Sequence, residues 1–214
     1  MDIAMFILEI IGTISFSISG ALVSIKARLD LLGVILLGCI TAVGGGITRD
    51  ILVGAVPPRI FSKLYILLIA VLTALAVFII AYIRRKKFAS LQKRVEHTNN
   101  FFDAMGLAAF TVTGTELAFA YGFSENMLLA ITLGVLTGVG GGVFRDILVN
   151  HTPYILEKHV YALVSIGGAV VYYLLRIYVT DSAVSFIIPM VMIVVLRMLA
   201  AKYRWSLPKV KIDG

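Results

Sequence analysis

Long apolar runs separated by short polar stretches make up most of this sequence. A run of about 20 apolar residues can cross the hydrocarbon core of a bilayer as a helix, which satisfies its own backbone hydrogen bonds. Seven such runs predict an all-α integral membrane protein with seven transmembrane helices. The runs cover Ile3–Ile25, Leu31–Val53, Leu64–Ile83, Phe101–Tyr121, Asn126–Val149, Val160–Val179 and Ala183–Tyr203.

Composition agrees with lipid as the main solvent. Of the 214 residues 60% are apolar and 14% are charged, against about 25% charged in soluble domains. The net charge of +7 comes from Lys and Arg in the segments that flank the apolar runs, so we expect a lipid bilayer as partner and no nucleic acid. The N-terminal segment carries Asp2 and Glu9 rather than the basic residues that begin a secretory signal peptide. We therefore expect that the first helix is not cleaved off.

The most basic segment sets the expected orientation. It lies between the third and fourth runs, and the positive-inside rule places it in the cytoplasm. With seven spans, the N-terminus is then outside and the C-terminus is cytoplasmic, in the cell inner (plasma) membrane. The segment carries Arg84, Arg85, Lys86, Lys87, Lys93 and Arg94.

A decapeptide occurs twice. GGGITRDILV at residues 44–53 recurs as GGGVFRDILV at residues 140–149, with eight of ten positions identical and a shift of 96 residues. The preceding helices match at a shift of 94, which pairs Glu9 with Asp103 and Phe16 with Phe110. We therefore expect two three-helix repeats.

An odd number of helices per repeat means that the second repeat enters the membrane from the opposite side. The repeats are then inverted and related by a two-fold axis in the membrane plane, with the pathway near the midplane. The predicted organisation is a first repeat at 1–83, a basic cytoplasmic loop at 84–100, a second, inverted repeat at 101–180, and a seventh helix with a basic tail at 181–214.

The triple glycines are the first candidate pathway element. Each glycine costs about 1 kcal/mol relative to alanine inside a helix, so we expect helices two and five to kink or unwind there and to free carbonyls for a cation. Close helix packing through small residues is the alternative. The residues are Gly44, Gly45, Gly46, Gly140, Gly141 and Gly142.

An Arg-Asp pair follows each triple glycine, Arg49-Asp50 toward one membrane face and Arg145-Asp146 toward the other. Buried charges need partners, and adjacent residues on a helix do not face each other, so we expect each pair to reach other helices or freed carbonyls. Either a gate or a static lock at the end of the bundle fits this pattern.

Hydroxyl residues on helices one and four could line a wet passage, or could only bond neighbouring helices. Glu116 lies deep in helix four and is a functional candidate as an intramembrane carboxylate. Glu9 and Asp103 could form cation-concentrating vestibules or simply suit the helix dipole. The possible pore-lining set is Thr13, Ser17, Thr48, Thr111, Thr115 and Glu116.

Enzyme activity has little support. His97, His151 and His159 form no metal-ligand spacing, no catalytic or phosphate-loop signature is present, and a metal site is left open. We expect no cofactor, only transported monovalent cations such as K+ and Na+.

The doubled G-G-G-x-x-R-D-I-L-V motif, the repeat order and the seventh helix resemble the prokaryotic branch of the trimeric intracellular cation channel family, over roughly residues 5–200. Its bacterial members are also described as putative glycine transporters. The resemblance implies a homotrimer with a potassium-permeable pore in each subunit, centred on glycine-kinked helices two and five. A secondary transporter of a small zwitterion such as glycine is the alternative, and a membrane scaffold is a third.

Overall fold

The computed structural model describes residues 3–85, 92–157, 160–179 and 182–205. These residues form seven long helices, α1 to α7, and two short ones. The long helices are Ile3–Lys26 (α1), Leu31–Leu52 (α2), Leu64–Ile83 (α3), Gln92–Ala120 (α4), Met127–Leu148 (α5), Val160–Tyr178 (α6) and Ser182–Tyr203 (α7). The short ones are a 3-10 helix at Arg59–Ser62 and one helical turn at Tyr154–Glu157.

Matching side chains cap α2 and α5 where these helices begin. The Asp30 carboxylate accepts a hydrogen bond from the backbone N–H of Gly33 at 2.8 Å. The Asn126 side-chain oxygen accepts one from Leu129 at 3.0 Å. Each cap satisfies an amide that the first helical turn leaves free.

Four helices form the centre of the bundle. Helix α1 packs on α2 and α4, and α5 packs on α2 and α4. Helix α3 covers α1 and α2, α6 covers α4 and α5, and α7 lies against α4 and α6. Large apolar side chains remain exposed along the outer helices, Leu68 and Leu72 on α3 among them. A lipid solvent accounts for this exposure, and the chain is an all-helical integral membrane protein.

Among the described residues, six helices are long and apolar enough to cross a membrane: α1, α2, α3, α5, α6 and α7. Helix α4 is not one of them, because it carries Asp103 and Glu116 along its length.

The beginning of α4 also departs from the expected loop. The helix begins at Gln92, well before the apolar run that starts at Phe101. An apolar run marks only the part of a helix that lipid or protein covers, so this signal does not detect a polar stretch at the beginning of a helix. Part of the predicted basic loop is therefore helical, while residues 86–91 lie outside the described residues.

Candidate functional site

Helices α2 and α5 cross at the triple glycines. A Cβ added at Gly45 would overlap the carbonyl of Thr137, and one added at Gly141 would overlap the carbonyl of Thr41. Thr41 and Thr137 are equivalent positions of the two repeats, so the two glycines contact the opposite helix in the same way. The two glycine segments therefore lie against each other.

The expected interruption of these helices is wrong. Both helices keep α-helical hydrogen bonding through their glycines, from Leu31 to Leu52 and from Met127 to Leu148. The physical reason is the close backbone approach, which needs glycine without needing an unwound segment. The glycine carbonyls therefore remain part of the helical hydrogen bonding. The contact matches the alternative prediction of close helix packing through small residues.

Two phenylalanines meet beside the glycine contact. The rings of Phe16 and Phe110, equivalent residues of α1 and α4, lie edge to face with centroids 5.3 Å apart. Each ring fills the space where the other repeat has a glycine, Phe16 against Gly106 and Phe110 against Gly12. The centre of the bundle is thus closed by apolar groups.

A cavity of about 210 Å³ opens between the phenylalanines and one end of the bundle. We call this end, where α2 finishes, the Asp50 end, and the opposite end, where α5 finishes, the Asp146 end. Thr13, Thr113 and Thr137 line the cavity, together with apolar residues that include Ile47, Phe110 and Leu117. Its charged lining consists of Glu9, Arg49, Asp50, Arg59, Lys63 and Glu116.

At the Asp50 end, the side chains of Arg49 and Asp50 bind each other. Asp50 Oδ1 accepts from Arg49 Nε at 3.0 Å and Nη2 at 2.8 Å, while Oδ2 accepts from the backbone N–H of Arg59 at 2.9 Å. The expectation that adjacent residues could not pair is wrong here, because the long arginine side chain folds back along the helix. Asp50 also fixes the start of the 3-10 helix.

A second ion pair borders the same cavity. Lys63 Nζ lies 2.7 Å from Glu9 Oε2 and 3.0 Å from Oε1. The exposed fractions of these two side chains are 20% and 21%. This pair is therefore partly open, unlike the ion pairs at the other end.

The Asp146 end contains the equivalent Arg-Asp pair and further contacts of its arginine. Arg145 Nε donates to Asp146 Oδ1 at 2.9 Å, and Asp146 Oδ2 accepts from the backbone N–H of Tyr154 at 2.9 Å. Arg145 Nη1 also donates to Asp103 Oδ1 at 2.8 Å and to Ser19 Oγ at 2.6 Å.

Helix α7 supplies a further charge to this cluster. Arg197 Nη2 lies 3.6 Å from Asp103 Oδ2, and its guanidinium lies 4.4 Å from the centre of the Tyr161 ring. All four charged side chains, Asp103, Arg145, Asp146 and Arg197, are buried. A cleft beside Arg145 and Tyr161 has an accessible volume of about 0 Å³. This end is closed.

The predicted pore-lining residues divide between three surroundings. Thr13 and Glu116 face the cavity, and Thr48 borders an apolar groove on α5 and α6. Ser17 donates to the carbonyl of Ala70 at 2.7 Å, and Thr111 shares a hydrogen bond of 2.7 Å with Ser165. Thr115 donates to the carbonyl of Thr111. Ser17 and Thr111 therefore bond neighbouring helices, as the alternative interpretation held, whereas Thr115 bonds a carbonyl of its own helix.

Helix α6 holds the Glu116 carboxylate. Its Oε2 accepts from Tyr172 Oη at 2.7 Å and from Arg176 Nε at 3.1 Å. Both donors belong to α6. The carboxylate thus faces the cavity while α6 fixes its position.

The predicted site residues do not include Arg197, Ser19 or Asn99, whose side-chain oxygen accepts from Ser19 at 2.9 Å. The one sequence signal for a charged cluster at the Asp146 end was the pairing of Asp103 with Glu9 in the repeat alignment. For metals, the described residues contain no group of three or more His, Cys, Asp or Glu side chains suited to hold an ion.

A family model described as "Glycine transporter" matches the chain twice, at residues 6–82 and 100–176. The "UPF0126 inner membrane protein YadS" of Escherichia coli K12 is 33% identical over 96% of both chains. A crystal structure of a prokaryotic TRIC channel superposes with a TM-score of 0.85, at 34% identity over 97% of this chain and all of that one. A "TRIC trimeric intracellular cation channel orthologue" from Rhodobacter sphaeroides gives 0.84, at 27% identity over 95% of this chain and 100% of that one.

Proposed function

We infer that this chain, which belongs to the prokaryotic branch of the trimeric intracellular cation channel family, is a potassium-permeable channel for monovalent cations with a pore in each subunit. The observation that carries this inference is the cavity inside a single bundle, with six charged residues and three threonines in its lining, in the fold of the TRIC channels. A passive pore needs such a wet passage within protein.

The proposed route begins in the cavity and continues past the contact of Phe16 with Phe110 to the Asp146 end. The phenylalanine pair would act as an apolar constriction that conducts only when wetted. The triple glycines would let α2 and α5 shift at their contact rather than donate carbonyls to the ion. Ion clusters at both ends would hold the closed state.

We further propose seven spans with inverted repeats, α4 crossing the bilayer inside the ring of its neighbours. Support comes from the matched arrangements of Asp50 and Asp146, each of which caps a short helix, at opposite ends of the bundle. The Asp146 end would face the cytoplasm, with the N-terminus outside.

Orientation can be tested with single cysteines on a Cys39→Ala background. Cysteine at residue 90 should react with an impermeant thiol reagent only after cells are opened, and cysteine at residue 125 should react in intact cells. Labelling of residue 90 in intact cells would overturn the proposed orientation.

A homotrimer in the cell membrane is proposed by analogy with the trimeric orthologue. Chemical cross-linking in native membranes should give a ladder that ends at three copies. A ladder that ends at two copies would reject the trimer without affecting the proposed pore.

The cavity also gives a reason to keep one alternative. It presents carboxylates, Glu9 and Glu116, and cationic groups, Arg49 and Lys63, within about 210 Å³, and a small zwitterion such as glycine needs both. A secondary transporter would bind it there and open the two ends in turn.

Planar bilayer recording separates the two functions. The purified protein in symmetric KCl should give unitary current steps that are ohmic and independent of glycine. Glycine uptake into proteoliposomes without current steps would replace the channel with the transporter.

A further inference from the structure

The Lys63 ammonium group and the Glu9 carboxylate meet in the lining of the cavity at the Asp50 end. Lys63 Nζ lies 2.7 Å from Glu9 Oε2 and 3.0 Å from Oε1, so it contacts both oxygens of the carboxylate. The Tyr65 hydroxyl donates a hydrogen bond of 3.4 Å to Oε2. The carboxylate thus holds one positive charge, with a hydroxyl oxygen beside it.

The other two carboxylates of the lining are held by groups of a different kind. Asp50 is bound by the buried Arg49 guanidinium and by a backbone N–H. Glu116 is bound by two side chains of α6 that do not belong to the lining. A guanidinium is a planar fork, whereas an ammonium group is a compact point charge on a flexible stem. Glu9 is therefore the carboxylate of this lining whose partner resembles an inorganic ion.

The Lys63 side chain can leave this position without a change in the fold. Both partners of the ion pair are partly exposed, and such pairs contribute little to stability. Lys63 directly follows the 3-10 helix, whose first backbone N–H is held by Asp50, so the side chain can swing away while the backbone stays. The cavity of about 210 Å³ leaves room for an ion in its place.

The chemistry of this position identifies a monovalent cation as the ligand. One carboxylate balances one positive charge, whereas Ca²⁺ takes six to eight oxygen ligands and Mg²⁺ demands a near-ideal octahedron. K+ binds where protein oxygens replace part of its hydration shell. An ammonium group has the charge of K+ and nearly its size, so the Lys63 contacts mark where such an ion fits.

We propose that the Glu9 carboxylate, with the Tyr65 hydroxyl beside it, is a binding site for K+ and similar monovalent cations, and that Lys63 is a tethered competitor for this site. An entering ion takes the place of the ammonium group, which swings aside. The exchange of one cation for another leaves the charge of Glu9 balanced throughout. The binding site stands on these contacts alone, and only its part in conduction rests on the proposed channel function.

Binding of K+ can be measured without any current. KCl replaces N-methylglucamine chloride at constant ionic strength, and thermal unfolding of the purified full-length protein is followed, since a ligand of the folded state raises the unfolding midpoint. Lys63→Met should reach half of the saturating shift at about fivefold lower K+ than the parent, because a partly exposed ion pair no longer competes. Glu9→Gln should abolish the saturable shift in both backgrounds.

Matched substitutions separate the tethered group from a general effect of charge. Arg59→Met removes a positive charge from the same lining, but the ion-pair partner of Arg59 is Asp50, at 3.5 Å. Its gain in K+ affinity should therefore be about twofold or less, as for a screened charge. Lys63→Arg keeps a tethered charge and should not produce the fivefold gain. Lys26→Met removes an exposed lysine at the far end of α1 and should have no effect.

Several outcomes of the unfolding measurement would overturn the site. These are the same K+ response in Lys63→Met and the parent, the absence of a saturable shift in both, and a shift that survives Glu9→Gln. Equal gains in Arg59→Met and Lys63→Met would show that only net charge matters and would overturn the tethered competitor. Should Lys63→Met fail to elute as folded protein, Glu9→Gln alone still decides whether Glu9 binds the ion.

Planar bilayer recording tests the part of this site in conduction. At low K+ the unitary conductance of Lys63→Met should exceed that of the parent by about fivefold, and the two should converge in molar KCl, where K+ displaces the ammonium group in the parent as well. A ratio that stays constant over all K+ concentrations would overturn displacement as a step of conduction. Failure of the parent protein to conduct would reject the proposed function instead, while the unfolding midpoints would still decide the binding site.

Discussion

The two ends of the bundle contain the same decapeptide in different surroundings. In both, the aspartate binds the adjacent arginine and caps the short helix that follows. At the Asp50 end the pair borders a cavity, and Glu9 is held by Lys63. At the Asp146 end Asp103, the counterpart of Glu9, binds Arg145 directly and meets Arg197 of α7. The repeated motif fixes local structure, whereas the non-repeated residues decide which end is closed.

The largest expected difference between the ends is in stability. Asp103→Ala removes a carboxylate that contacts two buried arginines, so that Arg145 keeps only Asp146 and Arg197 loses its carboxylate partner; the change should destabilise the protein by about 3–5 kcal/mol. The counterpart Glu9→Ala breaks a partly exposed pair and should cost about 1 kcal/mol or less. Thermal unfolding in detergent measures both, and equal losses would mean that the two ends are equivalent after all.

The next difference is in gating. Asp50→Asn and Asp146→Asn each weaken an arginine contact and should raise the open probability, with K+/Na+ relative permeability nearly unchanged. The effect should be about tenfold for Asp146→Asn and smaller for Asp50→Asn, since the Arg145 side chain is 1% exposed and that of Arg49 is 9%.

Single-channel recording with mixed K+ and Na+ solutions checks this gating prediction. Altered selectivity with unaltered gating would assign the aspartates to the pore. Loss of the folded protein in both variants would make the pairs structural locks.

The glycine contact should be the region where the two repeats behave alike. Gly45→Ala and Gly141→Ala each place a methyl group on a carbonyl of the other helix and should cost about 1–3 kcal/mol through overpacking. Gly46→Ala meets only Arg49 Nη2, at 3.5 Å, and should be neutral or stabilising by up to about 1 kcal/mol. A fall in the unfolding midpoint for only one of Gly45→Ala and Gly141→Ala would show that the contact is not symmetric.

The smallest expected effect belongs to Glu116. Glu116→Gln removes a negative charge from the cavity and should reduce K+ conductance by about twofold or less at low ionic strength, with the loss disappearing in molar salt. Glu125→Gln, an exposed carboxylate beyond the end of α4, is the control. A salt-independent loss would instead point to a disturbed contact with Tyr172 and Arg176.

Helix positions and the contact between the repeats could be predicted because apolar runs and a duplicated motif are local signals. The shape of α2 and α5 could not be predicted, because glycine both weakens helices and permits close approach. Only the presence of Thr41 and Thr137 against Gly141 and Gly45 decides between these effects. The Arg49 to Asp50 contact was missed because spacing rules describe the helix surface, not a long side chain that folds back.

Arg197 lies beyond the reach of any repeat argument. It sits in an apolar helix outside the duplicated segment, and nothing in its sequence neighbours indicates that Asp103 is its partner. The long-range pairing depends on how α7 packs against α4 and α6, which is a property of the tertiary structure. The contacts of Ser19 with Asn99 and Arg145 likewise join residues that are far apart in the sequence.

The placement of the cavity at one end also has a pharmacological consequence. In the proposed channel, a bulky organic cation such as a tetraalkylammonium ion would enter the cavity that Glu9 and Glu116 line from the compartment that the Asp50 end faces. From the opposite compartment, the same ion meets the sealed cluster of Asp103, Arg145 and Arg197. Block by such an ion should therefore be sided, acting from one face of the membrane without waiting for the channel to open.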